Sequence, residues 1–199
     1  MNIVIIKYNA GNIESVNNAL NRLGVKAEIT ADHEKIRNAD KVIFPGVGEA
    51  STTMDYLRNH GLDKLIVALK QPVLGICLGL QLMCSHSEEN DTKCLGIFDE
   101  KVTRFVPKPG EEFVTKVPHM GWNAITELKS SIFSAETENQ YVYFVHSYFA
   151  RLGEHTIATC NYINPFSAAL QKDNFYATQF HPEKSGTVGA KILANFINL

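Results

Sequence analysis

Disulfide architecture is the first thing the sequence lacks. Its four cysteines, Cys77, Cys84, Cys94 and Cys160, include no C-x-x-C pair and no regular framework spacing. In a 199-residue chain that pattern argues for free thiols in a reducing compartment. Charge of one sign is also lacking. Nineteen Lys and Arg stand against 21 Asp and Glu, for a net charge of -2, which offers no electrostatic footprint for nucleic acid or an anionic membrane. No apolar run approaches the ~18 residues that span a bilayer. The opening run Met1 to Lys7 is too short for a secretory leader. The expected location is therefore the cytoplasm, and the Asn90-Asp91-Thr92 sequon reads as chance. Gly46-x-Gly48 has neither a third glycine nor a G-K-[ST] ending, so no phosphate-binding loop is expected. His33-Glu34 opens a zincin-like pattern, but Arg37 stands where the second histidine should be. Cys84, His86 and Cys94 lack zinc-ligand spacing. Neither a metal nor another cofactor is expected.

What is present is an ordinary globular composition, 45% apolar and 20% charged. A chain of this length can bury a sizeable core without staples. Ile3 to Ile6 is continuously apolar, as in a strand buried on both faces. Ile13, Val16, Leu20 and Leu23 then recur at helical spacing until Gly24. Further strands are expected over 25–29, over Lys41 to Phe44 (ended by Pro45-Gly46) and over Val73 to Ile76, with a helix over Asp63 to Leu69. Strands and helices in series imply a parallel sheet covered by helices. From Gly96 the runs become short, β-branched and aromatic: 101–106, 113–117, 141–149, 156–162, 168–171 and 175–180. Such spacing suggests antiparallel strands added to the parallel core. Thr187 to Leu199 reads as a closing helix. With no repeat and no linker longer than a loop, the expected fold class is α/β, one domain over residues 1–199.

Three local patterns carry chemistry. Gly75-Ile76-Cys77-Leu78-Gly79 follows a buried strand and precedes the helical run Leu80 to Met83. It is a nucleophile elbow with cysteine in the serine position, where the two glycines permit a tight turn that exposes the central side chain. The helix N-terminus behind Cys77 favours a thiolate. The pentapeptide alone also suits a buried structural cysteine. In Gln179-Phe180-His181-Pro182-Glu183, residues two apart in extended chain point the same way, so His181 and Glu183 can converge. A histidine activates a thiol, and a carboxylate on its other nitrogen sets tautomer and orientation. In Phe44-Pro45-Gly46-Val47-Gly48, the glycines allow a backbone N–H to swing toward a neighbouring site. With the N–H of Leu78 that would complete an oxyanion hole. A plain strand-to-helix turn fits the same residues.

Taken together, these residues resemble the class I (triad-type) glutamine amidotransferases, and among them the glutaminase subunits of imidazole glycerol phosphate synthases. The likeness extends through Tyr8-Asn9-Ala10-Gly11-Asn12, Pro118-His119-Met120-Gly121-Trp122-Asn123, Phe144-Val145-His146-Ser147-Tyr148 and His181-Pro182-Glu183-Lys184-Ser185. It implies the class I fold, a mostly parallel central sheet flanked by helices with antiparallel strands added in the second half. It also implies that Cys77, His181 and Glu183 are catalytic and that Val47 and Leu78 donate to the oxyanion, with Gly46 and Gly48 allowing the peptide orientation. Gln81, Ser147 and Tyr148 would hold L-glutamine. Asn12, Met120, Trp122, Asn123 and Lys184 would lie near the partner, a (βα)8-barrel cyclase subunit that receives the ammonia. One departure is Lys7-Tyr8-Asn9-Ala10-Gly11-Asn12, where the family often has Asp-Tyr-Gly-x-Gly-Asn.

Other features have plainer readings. The aromatic run Tyr141 to Phe149 suits core, Glu88-Glu89-Asn90-Asp91 suits a solvated loop, and Trp122 fits core or interface. Three rival functions fit the same residues: a glutaminase feeding another ammonia-using synthase, a Cys-His hydrolase of peptides or γ-glutamyl compounds, and a noncatalytic binding subunit. The last kind of relative usually lacks a triad member, and here all three residues are present.

Overall fold

The structure, a computed structural model, describes residues 1–9, 11–110 and 115–199. In chain order the elements are β1 (Ile3–Ile6), α1 (Ile13–Arg22), β2 (Ala27–Thr30), α2 (His33–Arg37), β3 (Lys41–Gly46), α3 (Ala50–Asn59), α4 (Leu62–Ala68), β4 (Val73–Cys77) and α5 (Leu78–Met83). They continue as β5 (His86–Ser87), β6 (Thr92–Lys93), β7 (Lys101–Arg104), β8 (His119–Ala124), β9 (Tyr141–His146), β10 (Tyr148–Ala150), β11 (Thr156–Asn161), β12 (Pro165–Lys172), β13 (Phe175–Thr178) and α6 (Gly186–Ile197).

The main sheet has the order β11-β12-β13-β4-β3-β1-β2. Its five strands from β13 to β2 are parallel, and β11 and β12 extend it antiparallel. The continuous apolar runs are explained by burial on both faces. Along β1, Val4 and Ile6 join one core with Phe44, Leu57 and Ile66, while Ile3 and Ile5 join the other with Val16, Leu20, Ile192 and Phe196. Thus α1 and α6 cover one face, and α3, α4 and α5 the other.

The boundaries differ from the sequence expectations at informative places. β3 does not end at Phe44 but runs through Pro45-Gly46. Its pairing with β1 stops at Ile43, while pairing with β4 continues to Gly46 opposite Cys77. A proline is tolerated there because one flank of the strand has no ladder left to join. The run 141–149 is broken at Ser147 into β9, paired with β8, and β10, paired with β7. α2, α3 and β8 were not anticipated. Of the strand expected over 113–117, residues 113 and 114 lie outside the described residues, and 115–117 form bends and loop rather than a strand.

Parallel strands bring their C-terminal ends to one edge, and open α/β sheets bind ligands at that edge. The segments after β1, β3, β4 and β13 all emerge there. Because β4 lies between β13 and β3, Cys77 is flanked by the His181 segment on one side and the Val47 segment on the other.

Candidate active site

Cys77 has φ 55 and ψ −108, a left-handed backbone at the junction of β4 and α5. A non-glycine residue held there stores on the order of 1–3 kcal/mol of strain, the usual mark of a side chain placed for chemistry. Close packing enforces the turn. A Cβ on Gly79 would lie 2.2 Å from the Phe44 carbonyl oxygen, and one on Gly75 would lie 2.9 Å from Met83 Sδ. Gly79 is therefore required by contact with the β3 backbone, while a side chain at Gly75 would press on Met83 and on the Gly79 backbone at 3.1 Å.

His181 is buried, and its Nδ1 lies 2.7 Å from Glu183 Oε1. The same carboxylate oxygen accepts a bond from Asn12 Nδ2 at 2.5 Å. Asn12 sits at φ 73 at the start of α1, yet its side chain makes no capping bond. It turns to the carboxylate instead, so a residue expected near a partner is also in contact with Glu183. The Ser185 hydroxyl donates to the His181 carbonyl at 2.6 Å and accepts from Tyr143 N–H at 2.9 Å, which ties the His-Pro-Glu turn to β9.

Among the described residues, His181 Nε2 is buried without a conventional hydrogen-bond partner. Burial by itself would lower the imidazole pKa. Hydrogen bonding and charge attraction from Cys77 and Glu183 outweigh it and push His181 up to about 10. The arrangement thus favours the imidazolium form of His181. Gln179, fully buried and given no role by its place in the sequence pattern, directs Nε2 to Cys77 Sγ at 3.8 Å and accepts from Gln81 Nε2 at 3.1 Å. Tyr8 donates its hydroxyl to the Pro45 carbonyl. Burial first, and then the negative charge at Cys77, push this phenol well up, so it stays a neutral donor.

A cavity of about 400 Å³ opens at Cys77, lined by Val47, Gly48, Leu78, Gln81, Glu89, Pro118, Val145, His146, Ser147 and Tyr148. That volume is at the small end of ligand cavities. Leu78 begins α5, a position whose N–H has no acceptor within the helix. Gly46 lies beneath the elbow rather than in the cavity wall, with its Cα approached by Tyr8, Leu78 and Gly79. Glu88, Asn90 and Asp91 are exposed, as a solvated loop requires, but Glu89 departs from that reading. It is half-buried, its carboxylate accepts from Ala50 N–H at 2.8 Å, and it is the one carboxylate among the described lining residues. Burial raises its pKa, and the Ala50 bond acts against that rise. Only the fold could reveal it, because acidic residues in a polar stretch carry no signal of a cavity beside them.

Outside the cavity, Met120 and Trp122 project from β8, 63% and 54% exposed, so Trp122 is not core. Trp122 meets Tyr143 edge-on at 6.0 Å, and Lys184 Nζ lies 6.0 Å above the Tyr143 ring. Asn123 turns inward to the Asn161 carbonyl, at 3.0 Å. All four cysteines are free. Cys84, Cys94 and Cys160 are held protonated by burial, with Cys94 and Cys160 pushed up to about 12. Among the described residues no helix is long and apolar enough to cross a membrane.

Residues 4–199 match the family model for glutamine amidotransferase class-I. The chain is 61% identical to the imidazole glycerol phosphate synthase subunit HisH of Bacteroides fragilis (strain YCH46) and 45% identical to that of Escherichia coli (strain K12), over 100% of each chain. Among solved structures it is similar to a glutamine amidotransferase at TM-score 0.73 and 19% identity, covering 98% of this chain and 97% of that one. A second, a glutamine amidotransferase from Thermotoga maritima, gives 0.63 at 16% identity, covering 100% and 83%. At those identities the structures speak for the fold alone, whereas the family match and the full-length relatives carry the assignment. The chain belongs to the class I glutamine amidotransferases.

Proposed function

We propose that this chain is the glutaminase subunit of an imidazole glycerol phosphate synthase, acting as one glutamine amidotransferase domain over residues 1–199. The observation that carries the reading is the convergence of Cys77, His181 and Glu183 from adjacent strand ends beside a cavity of about 400 Å³.

The Cys77 thiolate attacks the side-chain amide carbon of L-glutamine. The oxyanion that forms is directed at the N–H groups of Val47 and Leu78, each donor contributing ~3–4 kcal/mol in the transition state. His181, as imidazolium, protonates the departing ammonia and leaves a γ-glutamyl thioester. As neutral imidazole it then takes a proton from water, whose attack releases glutamate and regenerates the thiol. Glu183 orients His181, and Asn12 holds Glu183. Gln81, Ser147 and Tyr148 line the path of the glutamine backbone, with the Glu89 carboxylate complementing its α-ammonium group.

The exposed Met120, Trp122 and Lys184, with Tyr143 between them, form the face for the cyclase subunit. Ammonia passes across that face to make imidazole glycerol phosphate and an aminoimidazole carboxamide ribonucleotide. Four unpaired thiols suit a cytoplasmic enzyme.

The test is ammonia release from glutamine by the chain alone and with the cyclase subunit and its nucleotide ligand. Cys77→Ala is expected to lower hydrolysis by several orders of magnitude, because triad members act as a unit. Retained hydrolysis overturns the mechanism. Activity that no cyclase subunit raises points to another synthase as the partner.

A further inference from the structure

The break between β9 and β10 is bridged by a buried histidine pair that the proposed reaction does not use. His146 Nδ1 lies 2.8 Å from the Tyr148 carbonyl, and His146 Nε2 lies 3.1 Å from His119 Nδ1. His119 Nε2 in turn faces Asn123 Nδ2 at 3.4 Å. A carbonyl oxygen only accepts, so the proton on His146 must be at Nδ1. In a neutral ring Nε2 is then an acceptor, and His119 Nδ1 must donate to it. His119 Nε2 is left to accept from Asn123. Every step of the chain therefore has one direction, from β8 to the Tyr148 carbonyl.

The surroundings hold both rings in place and neutral. His119 is stacked between Tyr162 at 4.0 Å and Phe144 at 4.8 Å. Burial pushes His119 down to about 4 and is the main cause of His146 falling to about 3. The Tyr148 carbonyl where the chain ends also accepts Gln81 Nε2 at 2.8 Å. Ser147, the residue between the two strands, is held through its own carbonyl by Phe105 N–H at 3.0 Å. The cavity wall at 147–148 is thus held by Phe105, by Gln81 and by the pairing of β10 with β7, and His146 supplies the bond that spans the break.

We propose that His146, its ring held by the bond from His119, is a positioning residue that sets the Ser147–Tyr148 wall of the cavity for the substrate's backbone groups. This rests on the assignment of the cavity to L-glutamine. It predicts a defect in substrate binding rather than in chemistry, because the triad stands on β4 and the segment after β13.

The experiment uses the complex with the cyclase subunit and compares His146→Phe with His146→Asn. Phenylalanine keeps the ring volume and has no donor, whereas asparagine places an amide N–H near the position of Nδ1. His146→Phe is expected to raise the glutamine KM by about tenfold with a much smaller change in kcat, the scale of one lost hydrogen bond. His146→Asn should bring KM back to within about threefold of the parent. Equal KM values in the two variants, or a parental KM in His146→Phe, overturn the proposal. Should His146→Phe not fold, His146→Gln replaces it, since it reaches His119 but not Tyr148. A parental KM there overturns the proposal, and a raised one supports it. Calorimetric titration of Cys77→Ala with L-glutamine separates the two readings. Failure of that protein to bind glutamine refutes the cavity assignment, whereas binding with an unchanged KM in the His146 variants refutes only the positioning role.

Discussion

Gly79→Ala tests the elbow most directly. The new Cβ would lie 2.2 Å from the Phe44 carbonyl oxygen and 3.3 Å from its carbon. Ordinary carbon–oxygen contact begins at about 3.3 Å, so the deficit is roughly 1 Å. The obstacle is backbone on β3, not the end of a flexible side chain, so α5 must withdraw from β3. Overpacking of this kind costs about 1–3 kcal/mol, and in a chain of this size it lowers Tm by roughly 2–12 °C. The same displacement separates Val47, just past the end of β3, from Leu78 at the start of α5. If those two N–H groups form the oxyanion hole, losing one donor's alignment lowers kcat by about 10²–10³-fold. Thermal unfolding by circular dichroism and ammonia release from the complex measure the two effects. Gly24→Ala is the contrast, because Gly24 has a positive φ of 75 but, among the described residues, nothing within 4 Å of a new Cβ. It should lose some stability and keep its turnover. A Gly79→Ala protein with parental Tm and parental turnover would refute both the packing argument and the oxyanion assignment.

Glu89→Gln is expected to raise the glutamine KM by about tenfold or more through loss of a charge-assisted bond, and an unchanged KM in steady-state assays would remove Glu89 from the substrate site. Trp122→Ala and Lys184→Ala should weaken cyclase binding in calorimetric titration while leaving Tm nearly unchanged, since both side chains are exposed; a large Tm loss without a binding defect would argue for a folding role. Stability should peak near pH 6.5. Below the ordinary histidine value of 6.5 the unfolded chain takes up protons that folded His119 and His146, held down to about 4 and about 3, refuse. Each ring then removes up to about 1.4 kcal/mol per pH unit. His181, pushed up to about 10, contributes fully below 6.5, and that contribution is lost as pH rises through 10. Urea midpoints that rise steadily from pH 6.5 to 5 would contradict the histidine-pair assignment.

The alternation of β1, α1, β3 and β4 was legible because a strand buried on both faces must be continuously apolar, and an amphipathic helix must repeat at its own period. Cys77 and the His181–Glu183 pair were legible for a related reason. An elbow needs its glycines within two residues of the nucleophile, and a two-residue spacing in extended chain already aligns a histidine with a carboxylate. Those requirements are local, so the linear order of residues determines them. The strand order was not local. Placing β4 between β13 and β3, which puts His181 on one side of Cys77 and Val47 on the other, depends on pairings between residues as far apart as Val73 and Phe175. The role of Glu89 in the cavity wall, the link from Gln179 to Cys77, the turn of Asn12 onto Glu183 and the histidine pair beneath Tyr148 also arise only when distant segments meet. Each of these side chains is polar in a stretch with no period to betray it. What gives it a partner is burial beside another segment, and burial is decided by packing rather than by neighbours in sequence.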